Sequence, residues 1–158
     1  MSRVLADRLK QLQDSIAAAC ARVGRPEKSV QLIVVTKTAP PEDIKEVIRL
    51  GCTELGENRV QRLRQVAEDI NAFLAENAEN PDIPKEVHWH MIGHLQRNKV
   101  KAALKYSRLI HSVDTLRLAE EINSCAYHLG QHVDVLLQVN CSGEPQKYGV
   151  PVGAAMYM

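Results

Sequence analysis

The chain has 158 residues, of which 45% are hydrophobic and 25% are charged, so it has the length of one domain and the composition of an ordinary soluble protein. Twenty basic and nineteen acidic residues give a formal net charge of +1, which argues against a surface that recruits nucleic acid or an acidic membrane. One Trp, four Tyr and one Phe are too few for a base-stacking platform. The longest nearly uncharged apolar stretch, residues 126–140, is broken by His, Gly and Asp, so we predict no membrane span.

The cysteines and the amino terminus indicate a cytoplasmic protein. The four cysteines share no CxxC spacing and fall inside regular apolar patterns, which predicts reduced thiols in the core. The first residues lack the basic-then-apolar layout of a signal peptide. The four are Cys20, Cys52, Cys125 and Cys141.

Hydrophobic periodicity predicts alternating helices and strands along the chain. Apolar residues every three or four positions predict a first helix that Gly24 and Pro26 end. The aliphatic run 32–35 then predicts a strand buried on both faces. The predicted strands are 30–38, 52–56, 87–93, 109–113 and 133–140. The predicted helices after the first are 40–51, one from about 59 to 75, 98–104 and 115–129.

This alternation with short loops predicts right-handed βαβ units and a parallel sheet. Two architectures fit: an open doubly wound sheet, or the first five units of a (β/α)8 barrel. A complete barrel needs about 250 residues, so the barrel interpretation requires an incomplete one.

Each predicted strand ends in polar residues. In both architectures ligands meet the carboxyl ends of parallel strands, so these residues predict a functional rim. The strand ends in question are 36–38, 56–58, 93–94, 112–114 and 140–143.

Lys37 follows the aliphatic run after a single residue, Thr36. Burial disfavours the charge of a lysine, and a neutral amine attacks an aldehyde to form a Schiff base. The alternative is a lysine whose stem packs on apolar surface while its ammonium reaches water.

His88 and His90 are two positions apart on a predicted strand and so share a face. They suggest either a metal-dependent hydrolase, with Glu57 or His94 as a further ligand, or hydrogen-bonding groups in the mouth of the sheet. Trp89, on the opposite face, is expected to pack under a helix.

Residues 93–99 place a glycine turn before a basic helix start, which is consistent either with an anion site or with a plain tight turn. The chain has no GxGxxG, Walker or GxSxG sequence, which argues against dinucleotide, NTPase and serine-hydrolase functions.

Taken together, these segments resemble the pyridoxal phosphate homeostasis proteins, whose fold is like the barrel domain of alanine racemase. The resemblance covers nearly the whole chain, in the order of the family, and its second and third segments are specific. The matching segments are VVTKT (34–38), LGENRVQ (55–61), WHMIGHLQRNK (89–99), HSVD (111–114), and QVN (138–140) with KYG (147–149).

The resemblance implies a pyridoxal 5'-phosphate site. Lys37 matches the lysine that holds the cofactor as a Schiff base, and Asn58 matches a residue lining its pocket. His90, Ser112 and Asn140 are expected on the same rim. The implied role is intracellular homeostasis of vitamin B6, with no established catalytic turnover and with cofactor-dependent apo-enzymes as partners.

The resemblance also implies that residues 1–158 form a single partial barrel domain, an amino-terminal helix plus strands one to five. Strands six to eight would carry the phosphate loops and the arginine beside the pyridine nitrogen. Two alternatives remain: a racemase-like enzyme, which needs a second acid–base group opposite Lys37, and the metal-dependent hydrolase using His88 and His90.

Overall fold

The computed structural model describes residues 2–158, and in this range the order of helices and strands follows the predicted alternation. The α-helices are α1 (Ser2–Arg22), α2 (Pro41–Arg49), α3 (Val60–Glu76), α4 (Val100–Ala103) and α5 (Leu116–Leu129). The β-strands are β1 (Val34–Val35), β2 (Glu54–Glu57), β3 (His88–Met91), β4 (Ser107–Val113), β5 (Asp134–Leu137), β6 (Val139–Asn140) and β7 (Val150–Pro151). Short 3-10 helices cover Glu27–Ser29, Arg97–Lys99 and Val152–Tyr157.

The five main strands form one parallel sheet in the order β1-β2-β3-β4-β5, and β6 pairs with β7 in a small separate sheet. The predicted α/β fold with a parallel sheet is therefore confirmed. A doubly wound sheet reverses its strand order at a switch point. The order here is sequential throughout residues 2–158, so the doubly wound alternative is wrong.

The hydrophobic core lies between one face of the sheet and the helices that cover it. Apolar stripes on α2, α3 and α5 are buried against strand residues that alternate toward them. Trp89 is only 4% exposed, which confirms its predicted packing under a helix. Other fully buried members of the core are Ile44, Ile48, Leu55, Leu63, Ile70, Met91, Ile110 and Leu118.

Local signals explain why the start of α2 and both ends of α5 were predictable. Thr115 accepts a hydrogen bond from the Leu118 amide at 3.2 Å and so caps α5 at its start. Gly130 ends the same helix in the left-handed conformation, with φ of 64°. Pro41 occupies the first turn of α2, where a missing N–H costs nothing.

The two outer strands differ from the prediction. Val35 is 51% exposed, so the expectation that the first strand is buried on both faces is wrong: helices cover one face of the sheet only. The predicted fifth strand, 133–140, is split at Gln138. The Gln138 amide donates to the Val113 carbonyl of β4, whereas its own carbonyl accepts from Val150 of β7.

All four cysteines are free thiols, but they are not all in the core. Cys20 is buried, whereas Cys141 is exposed on a loop, so the core prediction is wrong for Cys141. Burial raises the pKa of the Cys52 thiol, which keeps it protonated.

Within residues 2–158, no helix combines the length and apolarity needed to cross a membrane.

Candidate functional site

Lys37 lies in a tight turn just beyond β1. The turn is closed by a 2.9 Å hydrogen bond from the Ala39 amide to the Thr36 carbonyl. Thr36 is buried, whereas Lys37 and Thr38 are exposed. The lysine is thus at the predicted carboxyl end of the strand, but its side chain is more open to solvent than its position after an aliphatic run suggested.

An open groove of about 610 Å³ borders this turn. Its basic side chains come from Lys37, Arg59 and Arg62, and no carboxylate of the described residues lines it. Such a surface favours an anionic ligand. The complete lining is Lys37, Thr38, Asn58, Arg59, Gln61, Arg62 and Gln65.

The strand register relates three polar residues at or near the carboxyl edge of the sheet. Val35, Gly56, His90 and Leu109 are register partners in successive strands and therefore form one row across the sheet. Lys37, Asn58 and His111 each follow a member of that row by two positions. Alternation of side chains along a strand puts residues two apart on the same face. His111, within β4, therefore lies on the same face as His90, whereas Lys37 and Asn58 lie beyond the ends of β1 and β2 at the carboxyl edge.

A hydrogen-bonded chain of polar side chains crosses the same face. His90 Nε2 lies 2.7 Å from Glu54 Oε2, and His90 Nδ1 lies 2.9 Å from His111 Nε2. His90 is 1% exposed, and the guanidinium of Arg108 is 3.9 Å from the other Glu54 oxygen. This network fixes His90 as a hydrogen-bonding group, as one of the two sequence interpretations expected.

The same bonds argue against the metal hypothesis for His88 and His90. Both ring nitrogens of His90 are engaged by Glu54 and His111, so neither has a free lone pair directed at an ion. His88 instead lies 3.9 Å from the Glu86 carboxylate. Among residues 2–158, no three His, Cys, Asp or Glu side chains are grouped as metal ligands.

The pKa of His111 gives a prediction. Burial, and secondly the nearby His90, hold the pKa of His111 below its ordinary value of 6.5. At pH values between the lowered pKa of His111 in the folded chain and its ordinary pKa, the unfolded chain binds more protons than the folded chain. The free energy of unfolding should therefore fall as the pH drops below about 6.5. We expect His111→Gln to reduce this slope in urea unfolding measured across pH.

His128→Gln is the matched control for that experiment, because His128 is an exposed histidine on α5. It should leave the pH slope close to that of the unsubstituted chain. A slope that His111→Gln and His128→Gln change equally would contradict the assignment.

Two residues of the predicted rim form a pair that was not predicted. His94 Nδ1 lies 2.9 Å from Oδ2 of buried Asp114, and the His94 ring stacks on Tyr148 with centroids 3.9 Å apart. Both His94 and Asp114 follow predicted strands, which was the available signal. Their pairing depends on the packing of two loops, which a single sequence does not specify.

Ser112 and Asn140 are engaged in local bonds. Ser112 is buried and its hydroxyl donates to the Gly93 carbonyl at 2.6 Å. The Asn140 amide donates to the Glu144 carbonyl at 2.9 Å, and its oxygen accepts from the Gly143 amide at 3.0 Å. Neither lines the groove beside Lys37, so a direct role in ligand binding stays a prediction for both.

Fold and groove together define an α/β protein with a basic candidate ligand site at the carboxyl edge of a parallel sheet. Comparison with known proteins finds relatives that match most of this chain. A pyridoxal phosphate homeostasis protein of Aquifex aeolicus is 40% identical over 144 residues, which are 91% of this chain and 58% of that protein. The protein of the same name from Escherichia coli is 33% identical over 92% of this chain and 58% of its own length. No protein-family model matches the chain.

Two solved structures are also similar to this chain. A crystal structure of an unknown protein from Bifidobacterium adolescentis is 36% identical, with a TM-score of 0.86, over 99% of this chain and 62% of that chain. PipY of Synechococcus elongatus, solved with PLP bound, is also 36% identical, with a TM-score of 0.65, over 92% of this chain and 57% of that chain. The expected resemblance to the pyridoxal phosphate homeostasis proteins is therefore confirmed. The chain spans 58% of the length of each of the two curated relatives described above.

Proposed function

We propose that this chain binds pyridoxal 5'-phosphate at Lys37 and contributes to intracellular vitamin B6 homeostasis. The observation that carries the proposal is the placement of Lys37 in a basic groove at the carboxyl edge of a parallel sheet. The names of the relatives, and the PLP bound in PipY, support it.

The groove fits such a ligand in size and charge. Its volume of about 610 Å³ falls within the range of about 300–1,000 Å³ for small-molecule sites. Arg59 offers a guanidinium group suited to a phosphate, and Asn58 offers an amide. Bound there, pyridoxal 5'-phosphate would supply an aldehyde whose carbonyl carbon condenses with the unprotonated Nζ of Lys37 and releases water.

The open turn favours a carrier over an enclosed catalytic centre. Lys37 is exposed, so a ligand held by it stays accessible to an acceptor. We propose apo-enzymes that require the cofactor as acceptors, and the cytoplasm as the location, which the four free cysteines support.

A racemase-like activity is the second candidate, favoured by one observation. His111 lies on the uncovered face of the sheet, hydrogen-bonded to His90. It comes two positions after Leu109 in the row of register partners, just as Lys37 comes two positions after Val35. An imidazole is a group that can act as acid or base, and a racemase-like reaction needs such a group besides Lys37. Exchange of the α-hydrogen of amino acids in deuterated buffer, lost in His111→Gln, would support this candidate.

We also propose that the five βα units correspond to the first five units of a (β/α)8 barrel like that of alanine racemase. In such a barrel consecutive strands are neighbours and all are parallel. The sequential order β1-β2-β3-β4-β5 supports this assignment.

Reductive trapping tests the proposed function. The protein is incubated with pyridoxal 5'-phosphate, reduced with borohydride and digested, and the modified lysine is located by mass spectrometry. We expect the adduct on Lys37 and its loss in Lys37→Arg, because a guanidinium stays protonated and does not condense. Lys105→Arg, which changes another exposed lysine, should leave the adduct intact. Label spread over surface lysines and unchanged in Lys37→Arg would contradict the proposal.

A further inference from the structure

The turn that carries Lys37 is held from α3 by a single guanidinium. Arg62 Nη2 donates to the Ala39 carbonyl at 2.7 Å and to the Thr36 carbonyl at 3.3 Å. These two carbonyls stand on either side of Lys37 and Thr38. The guanidinium therefore bridges the two ends of the turn, and Arg62 also lines the groove.

A buried carboxylate holds this arrangement from the sheet. Glu57, at the end of β2, is fully buried, and its Oε1 accepts a 2.6 Å hydrogen bond from the Thr36 hydroxyl. Arg62 Nε lies 3.4 Å from the same oxygen. Glu57 Oε2 and Arg62 Nε are both buried without a hydrogen-bond partner in the described chain, so the contact between Glu57 and Arg62 is an ion pair and not a hydrogen bond. A buried carboxylate is costly unless a cation compensates it, so Glu57 and Arg62 depend on each other.

The Glu57–Arg62 pair links the turn to the end of β2. Thr36 bonds to Glu57 through its hydroxyl and to Arg62 through its carbonyl. Glu57 directly precedes Asn58, which lines the groove together with the turn residues Lys37 and Thr38. A shift of the guanidinium would therefore move the turn relative to Asn58.

We propose that Arg62, oriented by Glu57, is a positioning residue that fixes the turn bearing Lys37 and thereby sets the rate at which its amine reacts with an aldehyde ligand. The inference rests on the proposed function for its ligand, but the holding of the turn is independent of any ligand. Misplacing a reacting group by about 1 Å costs up to about 100-fold in rate. Loss of the bridge should accordingly slow trapping at Lys37 by at least about tenfold.

The test compares Arg62→Met, which removes the charge and both hydrogen bonds, with Arg62→Lys, which keeps the charge but not the planar fork. Arg64→Met is the matched control, because Arg64 is an exposed arginine of the same helix paired with Glu68. One readout needs no ligand: amide hydrogen exchange of residues 36–39, in particular of the Ala39 amide that closes the turn. The other is the rate of borohydride-trapped modification at Lys37.

We expect faster exchange at Ala39 and slower trapping in Arg62→Met, partial restoration in Arg62→Lys, and no change in Arg64→Met. The double variant Glu57→Gln, Arg62→Met removes both charges together, so it gives the same test without an uncompensated buried carboxylate. Exchange and trapping like those of the unsubstituted chain, in Arg62→Met or in the double variant, would overturn the proposal. A chain that never labels Lys37 would refute the proposed function, while the exchange data would still decide the role of Arg62.

Discussion

Replacing Gly93 with alanine is expected to lower the free energy of unfolding by about 3 kcal/mol and to disturb the candidate site. A Cβ atom at position 93 would lie 2.3 Å from the Asn58 carbonyl oxygen and 2.8 Å from the Asn58 Cα. Both are backbone atoms, so no change of rotamer relieves the clash. The loop that begins at Asn58 or the turn after β3 must move, and Asn58 then leaves its place in the groove.

Gly153→Ala is the control, since a Cβ there meets nothing within 4 Å. Its effect should stay within about 0.5 kcal/mol. Urea unfolding followed by circular dichroism measures both variants, and trapping at Lys37 reports the state of the groove. Equal stability of the two variants would show that residues 58 and 93 are not packed as described.

The parallel α/β fold could be predicted because local signals and periodicity agreed with each other. The caps at Thr115 and Gly130 and the proline at the start of α2 each mark a helix end by chemistry that acts within a few residues. The sequential strand order was one of two possibilities, because strand pairing depends on contacts between distant parts of the chain.

The candidate site was predictable where its residues come within two positions of a strand end, as Lys37 and Asn58 do. The exposure of Lys37 could not be predicted, because β1 is shorter than its aliphatic run and ends before the turn. The Glu57–Arg62 pair was missed as well. Whether a carboxylate beside a strand end is buried, and which arginine reaches it, depends on how α3 packs over the sheet.

The free edge of β5 gives the last prediction: the chain alone should self-associate in a concentration-dependent way. Within residues 2–158, β5 pairs on one side only, and Val135, Leu136 and Leu137 are 43%, 48% and 37% exposed. Such an edge presents unpaired N–H and C=O groups to another chain. Covering the remaining surface of each side chain would contribute about 1 kcal/mol, so a second copy pairing with β5 is favoured.

Leu136→Lys should shift the chain toward monomer, because a charge on an edge strand disfavours pairing with another chain. The preceding residue, Val135, is the register partner of Ile110 and faces the helix-covered side with it. Leu136 therefore points to the uncovered side, where a lysine reaches water without entering the core. Val4→Lys is the control, since Val4 is an exposed apolar residue of α1. Sedimentation velocity over a range of concentrations distinguishes the variants. An unsubstituted chain that stays monomeric at every concentration would show that the β5 edge does not recruit a second copy, and that its apolar side chains remain in water at a cost the rest of the core offsets.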